Sequence, residues 1–169
     1  IINQMDEMWT FCPHNSEIIE FDTNAKTKYA VGTIDLDFWK SNRKRKTIDS
    51  ILYIADWNAR KNIESYISVV SKVQKRYSSI KATLKISGID AQTAKKYLTT
   101  YYNGLNLDKI EFISNKLTTT EMKNLIDQHD LYICTSFGEG WNNPVYQSVA
   151  MGLQCIVPNN TAHLSLSKD

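Results

Sequence analysis

From residue 51 onward, short runs of aliphatic and β-branched residues alternate with longer stretches in which apolar residues recur every three or four positions. Five runs read as strands: 51–55, 82–87, 110–113, 131–135 and 155–158, each apolar and each followed by polar residues or glycine. Between the first two, Ile63, Tyr66, Ile67, Val70, Val73 and Tyr77 fall on one face of a helix. Ala94, Tyr97, Leu98 and Tyr101 repeat the pattern, with Asp90 as N-cap and Asn103-Gly104 as the stop. A third helix is announced by the capping box Thr118 to Glu121 and continued by Met122, Leu125 and Ile126. A fourth runs from about Pro144 to Met151, with proline in its first turn and Gly152 beyond its end. Strand–helix alternation of this kind predicts an α/β fold, a Rossmann-like doubly wound parallel sheet whose first strand lies centrally, beside the second and the fourth.

Residues 1–46 have a different texture: a strand over 8–12, a helix from about Ser16 and a strand over 29–31. They read as the end of a preceding domain with a linker, and 47–169 as the Rossmann-like domain. Because the first residue is Ile, the chain is expected to be a piece of a longer protein. With 42% hydrophobic and 22% charged residues, the composition is that of a globular domain and not of a disordered chain. A net charge of +2 gives no electrostatic case for nucleic acid as a partner. The one dense basic run, from Lys40 to Lys46, reads as a solvated linker, with contact to phosphate or an acidic membrane surface as the other reading.

Cys12, Cys134 and Cys155 are far apart and lack metal-ligand spacing, which suggests a reducing compartment and, with no apolar run of about 20 residues, a cytoplasmic location. His14, His129 and His163 stand singly and read as surface or capping residues, although His163, after the last strand, could line a cleft. No cofactor and no metal are expected, there being no Asp-x-Asp pair and no cluster of ligands.

In a doubly wound sheet a ligand sits outside the carboxyl ends of the strands, where the loops after strands one and four diverge. The first of these loops carries Arg60 and Lys61, cations at the start of a helix, which suit an anion. The second reads Ser136-Phe137-Gly138-Glu139-Gly140-Trp141-Asn142-Asn143-Pro144. Its glycines allow close backbone approach, it feeds a helix N-terminus, and Glu139 offers two acceptors to vicinal hydroxyls. Phosphate at one end and hydroxyls at the other describe a nucleotide sugar.

At these residues the sequence resembles the donor-binding half of family 4 retaining glycosyltransferases, enzymes of the two-Rossmann GT-B fold. The stretch 136–144 is similar to that family's S-x-x-E-G-F-G-x-P loop, Arg60-Lys61-Asn62 to its turn after the first strand, and Met151-Gly152 to the end of the next helix. Thr33-Ile34-Asp35 with Phe38 resembles the segment joining the two domains, and Asp6 to Trp9 the last strand of the first. The resemblance implies transfer of a hexosyl-type group from a nucleoside-diphosphate sugar to an acceptor hydroxyl, without metal. It places Arg60, Lys61 and the amides of Trp141 and Asn142 on the donor diphosphate, and Glu139, Gly140 and Trp141 on its sugar, Glu139 and Lys61 carrying the catalytic roles. Gln147, standing where the family has a second glutamate, would hold the ribose. At the end of the first strand the family's Gly-Arg is Ala55-Asp56 here, which leaves Arg60 to replace that cation or to neutralise Asp56. The acceptor, a glycan or a lipid-linked group, would be held by the missing N-terminal domain, so the isolated chain is expected to bind donor and transfer nothing. A catalytically silent relative acting as a binding partner is the alternative. A phosphoacceptor signalling domain centred on Asp56 lacks the acidic cluster needed for magnesium.

Overall fold

The computed structural model describes residues 5–30 and 32–166. Its main body is a five-stranded, wholly parallel sheet in the order β5-β4-β3-β6-β7, built from β3 (Ser50–Asp56), β4 (Lys81–Ser87), β5 (Ile110–Ile113), β6 (Leu131–Ile133) and β7 (Gln154–Ile156). The first of these is central: Ile51 faces Ala82 on one side and Leu131 on the other. This is the predicted α/β topology, with the crossover between β5 and β6 opening a crevice beside β3.

The helices form where the apolar spacing required them. α2 (Ile63–Arg76) buries Ile63, Tyr66, Ile67 and Val70 in one stripe against the sheet. Each such side chain contributes roughly 1.5–3 kcal/mol on leaving water. α3 (Ala91–Tyr101) starts on Asp90, whose carboxylate accepts the Thr93 N–H. α4 (Thr119–Asp127) carries the complete capping box, with Thr118 and Glu121 bonding each other's backbone. α5 (Asn143–Ala150) has Pro144 in its first turn, and the chain leaves it through Gly152 at a left-handed φ of 77°. Three core tyrosines pack together, Tyr53 and Tyr66 with ring centroids 5.3 Å apart. Their hydroxyls are satisfied by the carbonyls of Lys61, Thr83 and Ile54.

Residues 8–29 form a separate parallel pair, β1 (Met8–Thr10) and β2 (Thr27–Tyr29), joined by α1 (Pro13–Asp22). α1 begins before the expected Ser16, because Pro13 supplies a preset first turn after the extended Cys12. The second strand ends at Tyr29, and Val31, which the sequence reading included, lies outside the described residues.

The basic run departs from the expected solvated linker. Arg45, its side chain 8% exposed, donates to the carbonyls of His129 (2.8 Å), Met151 (2.8 Å) and Asp127 (2.9 Å) and meets the Asp127 carboxylate at 3.1 Å. Arg43 pairs with buried Asp130 at 2.7 Å. The other carboxylate oxygen of Asp130 accepts from Asp49 N–H and the Ser50 hydroxyl. The two guanidinium groups thus fasten the incoming chain across the amino end of the sheet, satisfying helix-terminal carbonyls.

Candidate functional site

At the opposite, carboxyl edge the loops after β3 and β6 are laced together. Ala59–Lys61 forms a tight turn and Asn62 follows at φ 49°, a left-handed geometry that Asn tolerates. The Arg60 carbonyl accepts from Phe137 N–H (2.8 Å) and the Ser136 hydroxyl (3.1 Å), and the Asn62 carbonyl from the Thr135 hydroxyl at 2.8 Å. One backbone bond and two hydroxyl-to-carbonyl bonds therefore fix the cation-bearing turn against the glycine-rich loop before any side-chain charge is considered.

On that frame Glu139 receives both cations: Lys61 Nζ lies 2.5 Å from Oε1 and Arg60 Nη1 2.8 Å from Oε2. Arg60 also donates to the Gly138 carbonyl. The Glu139 and Lys61 side chains are 6% and 12% exposed, whereas Arg60 is 48% exposed at the rim. Burial by itself would raise the Glu139 carboxyl, but the hydrogen bonds from Lys61 and Arg60 outweigh it and hold the group below its usual range. From behind, the Glu139 N–H donates to the Thr161 hydroxyl at 2.9 Å and its carbonyl accepts from Ala162 N–H at 3.2 Å. The sequence reading divided these residues between two ends of a ligand; the structure brings them into one cluster of two cations on one carboxylate.

Trp141 is walled in. Its indole stacks on Tyr146 with centroids 3.9 Å apart and planes 9° off parallel, and Phe11 lies 6.4 Å away. A Cβ built on Gly32 would fall 2.6 Å from the ring. The Gly140 carbonyl accepts from the Asn15 side chain at 2.8 Å. Asn142, the N-cap of α5 at φ 74°, turns its amide inward to His163 Nε2 (2.8 Å) and Cys134 Sγ (3.4 Å). Gln147 sits half-buried on α5.

His163 is 1% exposed, packed beneath the start of α5, and does not line the cleft. Burial, partly offset by Glu139, lowers its pKa. His129, expected at the surface, is buried too: its ring bonds the Leu125 carbonyl (2.7 Å) and the Thr83 hydroxyl (2.9 Å). It does cap the end of α4, from the inside.

A cleft of about 630 Å³ opens beside this cluster along the carboxyl ends of β3, β4 and β5, bounded by Asp56, Lys61, Lys85, Ser87, Lys116 and Pro144. A hollow of about 110 Å³ lies apart from it beside Trp57 and Tyr97 and is lined by none of the charged site residues Arg60, Lys61 or Glu139. Asp56 is not neutralised by Arg60, which is held at Glu139; its carboxylate accepts the Ser87 hydroxyl. Lys85 and Lys116 escaped the sequence reading. A signal existed for Lys85, a lone lysine in an otherwise strand-like run, while Lys116 is an ordinary loop lysine until the topology brings its loop to this edge. Among the described residues no group of three His, Cys, Asp or Glu side chains could hold a metal ion.

A parallel sheet flanked by helices, with its cleft at the carboxyl edge, defines a Rossmann-like α/β domain. The sequence profile described as "Glycosyl transferases group 1" matches residues 49–167, and the chain belongs to that family. Solved structures agree on the fold. HepE from Anabaena, solved with UDP, is 14% identical and superposes with a TM-score of 0.78 over 99% of this chain and 49% of its own. The pneumococcal O-GlcNAc transferase GtfA, solved with UDP and GlcNAc, is 17% identical with a TM-score of 0.74, covering 98% of this chain and 32% of its own. The C-terminal domain of the group 1 glycosyl transferase LpcC from Francisella tularensis is 21% identical with a TM-score of 0.60, over 75% of this chain and 71% of its own. These are GT-B folds, and this chain has the architecture of their C-terminal half. It spans about a third of the length of several of the transferases it matches, 32% of GtfA among them. No curated protein matches the sequence. Among the described residues no helix is long and apolar enough to cross a membrane.

Proposed function

We propose that this chain is the donor-binding half of a retaining glycosyltransferase that moves a hexosyl group from a nucleoside-diphosphate sugar to an acceptor hydroxyl. The observation that carries the reading is the Arg60–Lys61–Glu139 cluster, held by uncharged hydrogen bonds between its two loops at the mouth of the cleft on the carboxyl edge of the sheet. The family membership and the UDP recorded with HepE and GtfA support it.

In this reading the donor diphosphate enters over the N-terminus of α5 and takes up Lys61 and Arg60 as partners. Glu139, relieved of part of that pairing, turns its acceptors to the hydroxyls of the sugar, with the backbone of Gly140 and Trp141 alongside. Trp141 contributes N–H rather than ring surface, its ring being occupied by Tyr146 and Gly32. The Asn142 N–H extends the same anion-facing stretch, and Gln147 takes the ribose. As the glycosidic bond breaks, negative charge grows on the departing diphosphate, where fixed cations and amides stabilise it without having to reorganise. No metal is required in this scheme. The acceptor is held by a further N-terminal domain, so the chain alone binds donor and does not turn over.

Calorimetric and thermal-shift titration with UDP, GDP and ADP tests this. One nucleotide should bind and stabilise the fold, and Lys61→Ala should lower its affinity at least tenfold, with Glu139→Ala weakening the intact sugar nucleotide more than the bare diphosphate. Absence of binding by all three at millimolar concentration, or multiple turnover by the chain alone, would contradict it.

A further inference from the structure

β4 lies inside the sheet between β3 and β5, yet among apolar neighbours it carries a cation. Lys85 pairs in register with Ile54 on β3 and Ile113 on β5, and the residue is 5% exposed. Its ammonium donates to the Ile86 carbonyl at 2.7 Å. Among the described residues no carboxylate lies within ion-pair distance; Asp56 acts on it only from farther off. Burial pulls its pKa down, with Asp56 opposing. A buried ammonium with one neutral acceptor is an expensive arrangement for a residue that needs only to fill a strand, since Val or Ile would do so without desolvating a charge.

Its location supplies a reason. Lys85 forms part of the wall of the 630 Å³ cleft, between Lys61 on one side and Lys116 on the other. Three lysines therefore face one aspartate, and Asp56 is already bonded by the Ser87 hydroxyl. Lys61 is shared with Glu139, so among the described residues lining the cleft positive charge outnumbers negative.

We propose that Lys85 is a phosphate-binding residue of this cleft, the interior cation that completes the diphosphate site begun by Lys61 at its mouth. The assignment rests on the donor-site reading and deepens it. Arg60 and Lys61 arrive from a loop and are shared with Glu139, whereas Lys85 stands on a rigid strand, where an entering phosphate finds a donor that needs no loop rearrangement. Its positive charge also offsets the repulsion that Asp56 would exert on a diphosphate.

The test uses the whole chain and inorganic pyrophosphate beside UDP, GDP, ADP and uridine. Lys85→Met, which keeps the length of the stem, should lower the affinity for pyrophosphate and for the preferred diphosphate by roughly 10- to 100-fold, the range for a lost charge-assisted hydrogen bond. Uridine binding should not change, and Lys85→Arg should recover part of the loss. As a check that does not depend on the folding of a variant, pyrophosphate should protect Lys85 of the natural chain from acylation, read by peptide mass spectrometry. If Lys61→Ala abolishes diphosphate binding while Lys85→Met binds as the natural chain does, or if pyrophosphate leaves Lys85 labelling unaltered while still binding, the assignment is overturned and the donor site stands. If the natural chain binds neither pyrophosphate nor any nucleotide, the donor-site reading falls and this one with it.

Discussion

Two pairs of cations sit at opposite ends of the same sheet and are used in opposite ways. At the amino edge Arg43 and Arg45 are absorbed into the fold, Arg45 meeting three backbone carbonyls that cannot move or change charge. At the carboxyl edge Arg60 and Lys61 share the carboxylate of one side chain, beside an open cleft. Both pairs are adjacent or nearly adjacent basic residues in sequence, and the denser run is the structural one. The lesson is that a cation's role is decided by its acceptor: a carbonyl at a helix end is a permanent partner, whereas a carboxylate at a cleft can exchange one partner for another.

This contrast can be broken deliberately. The largest effect should come from Arg45→Ala, which strands several buried carbonyls; a loss of about 3 kcal/mol is expected, seen in urea unfolding, with nucleotide affinity unchanged in the folded fraction. Next, Gly32→Ala should cost about 2 kcal/mol by driving a methyl into the Trp141 ring, measured as a lowered thermal midpoint and recovered in part by pairing it with Trp141→Phe. Arg60→Ala, at the solvent-exposed rim, should change stability by less than about 1 kcal/mol, because exposed ion pairs are screened, while still weakening diphosphate binding.

Acid tests the Glu139 cluster by itself when the comparison is made at that one residue. The Glu139 carboxyl is held below its ordinary value of 4.5, so its pairing contributes stability in full above that pH and loses it as pH falls through the lower folded value. At the amino edge the carbonyl partners of Arg45 do not titrate, but Asp130, also held below its ordinary value, does, so the comparison is confined to Glu139. A thermal-midpoint profile of the natural chain against Glu139→Gln should therefore show a constant gap above about pH 4.5 that closes below it. A gap that persists unchanged into strong acid would mean that the carboxylate charge is not what holds the cluster.

Much of this was legible beforehand for identifiable reasons. Thr118 and Glu121 announce a capping box through chemistry that is local to four residues, and Asp90 announces a cap in the same way. The stripe of α2 and the placing of Arg60, Lys61 and Glu139 at one edge follow from period and topology alone. What stayed hidden depends on pairing distant segments. Nothing near Arg45 in sequence foretells carbonyls more than 80 residues away, since the partner of a guanidinium is not encoded in its own neighbourhood. His129 looked like a surface residue because its acceptor, the Thr83 hydroxyl, arrives from another strand. Lys85 was hidden by its run, which scores as strand whether or not one member is charged.

The contact between Gly32 and the Trp141 indole gives the molecule a seam with little slack. A ring lies against bare backbone on one side, and on the same loop the Gly140 carbonyl is tethered to Asn15. The segment that leads out of β2 and the loop that carries Glu139 thus share one piece of furniture, and neither can shift by the width of a methyl group without the other registering it. By thermodynamic reciprocity, whatever a ligand does to the loop is felt as a force on the leading segment, and whatever pulls that segment alters the loop's readiness for its ligand.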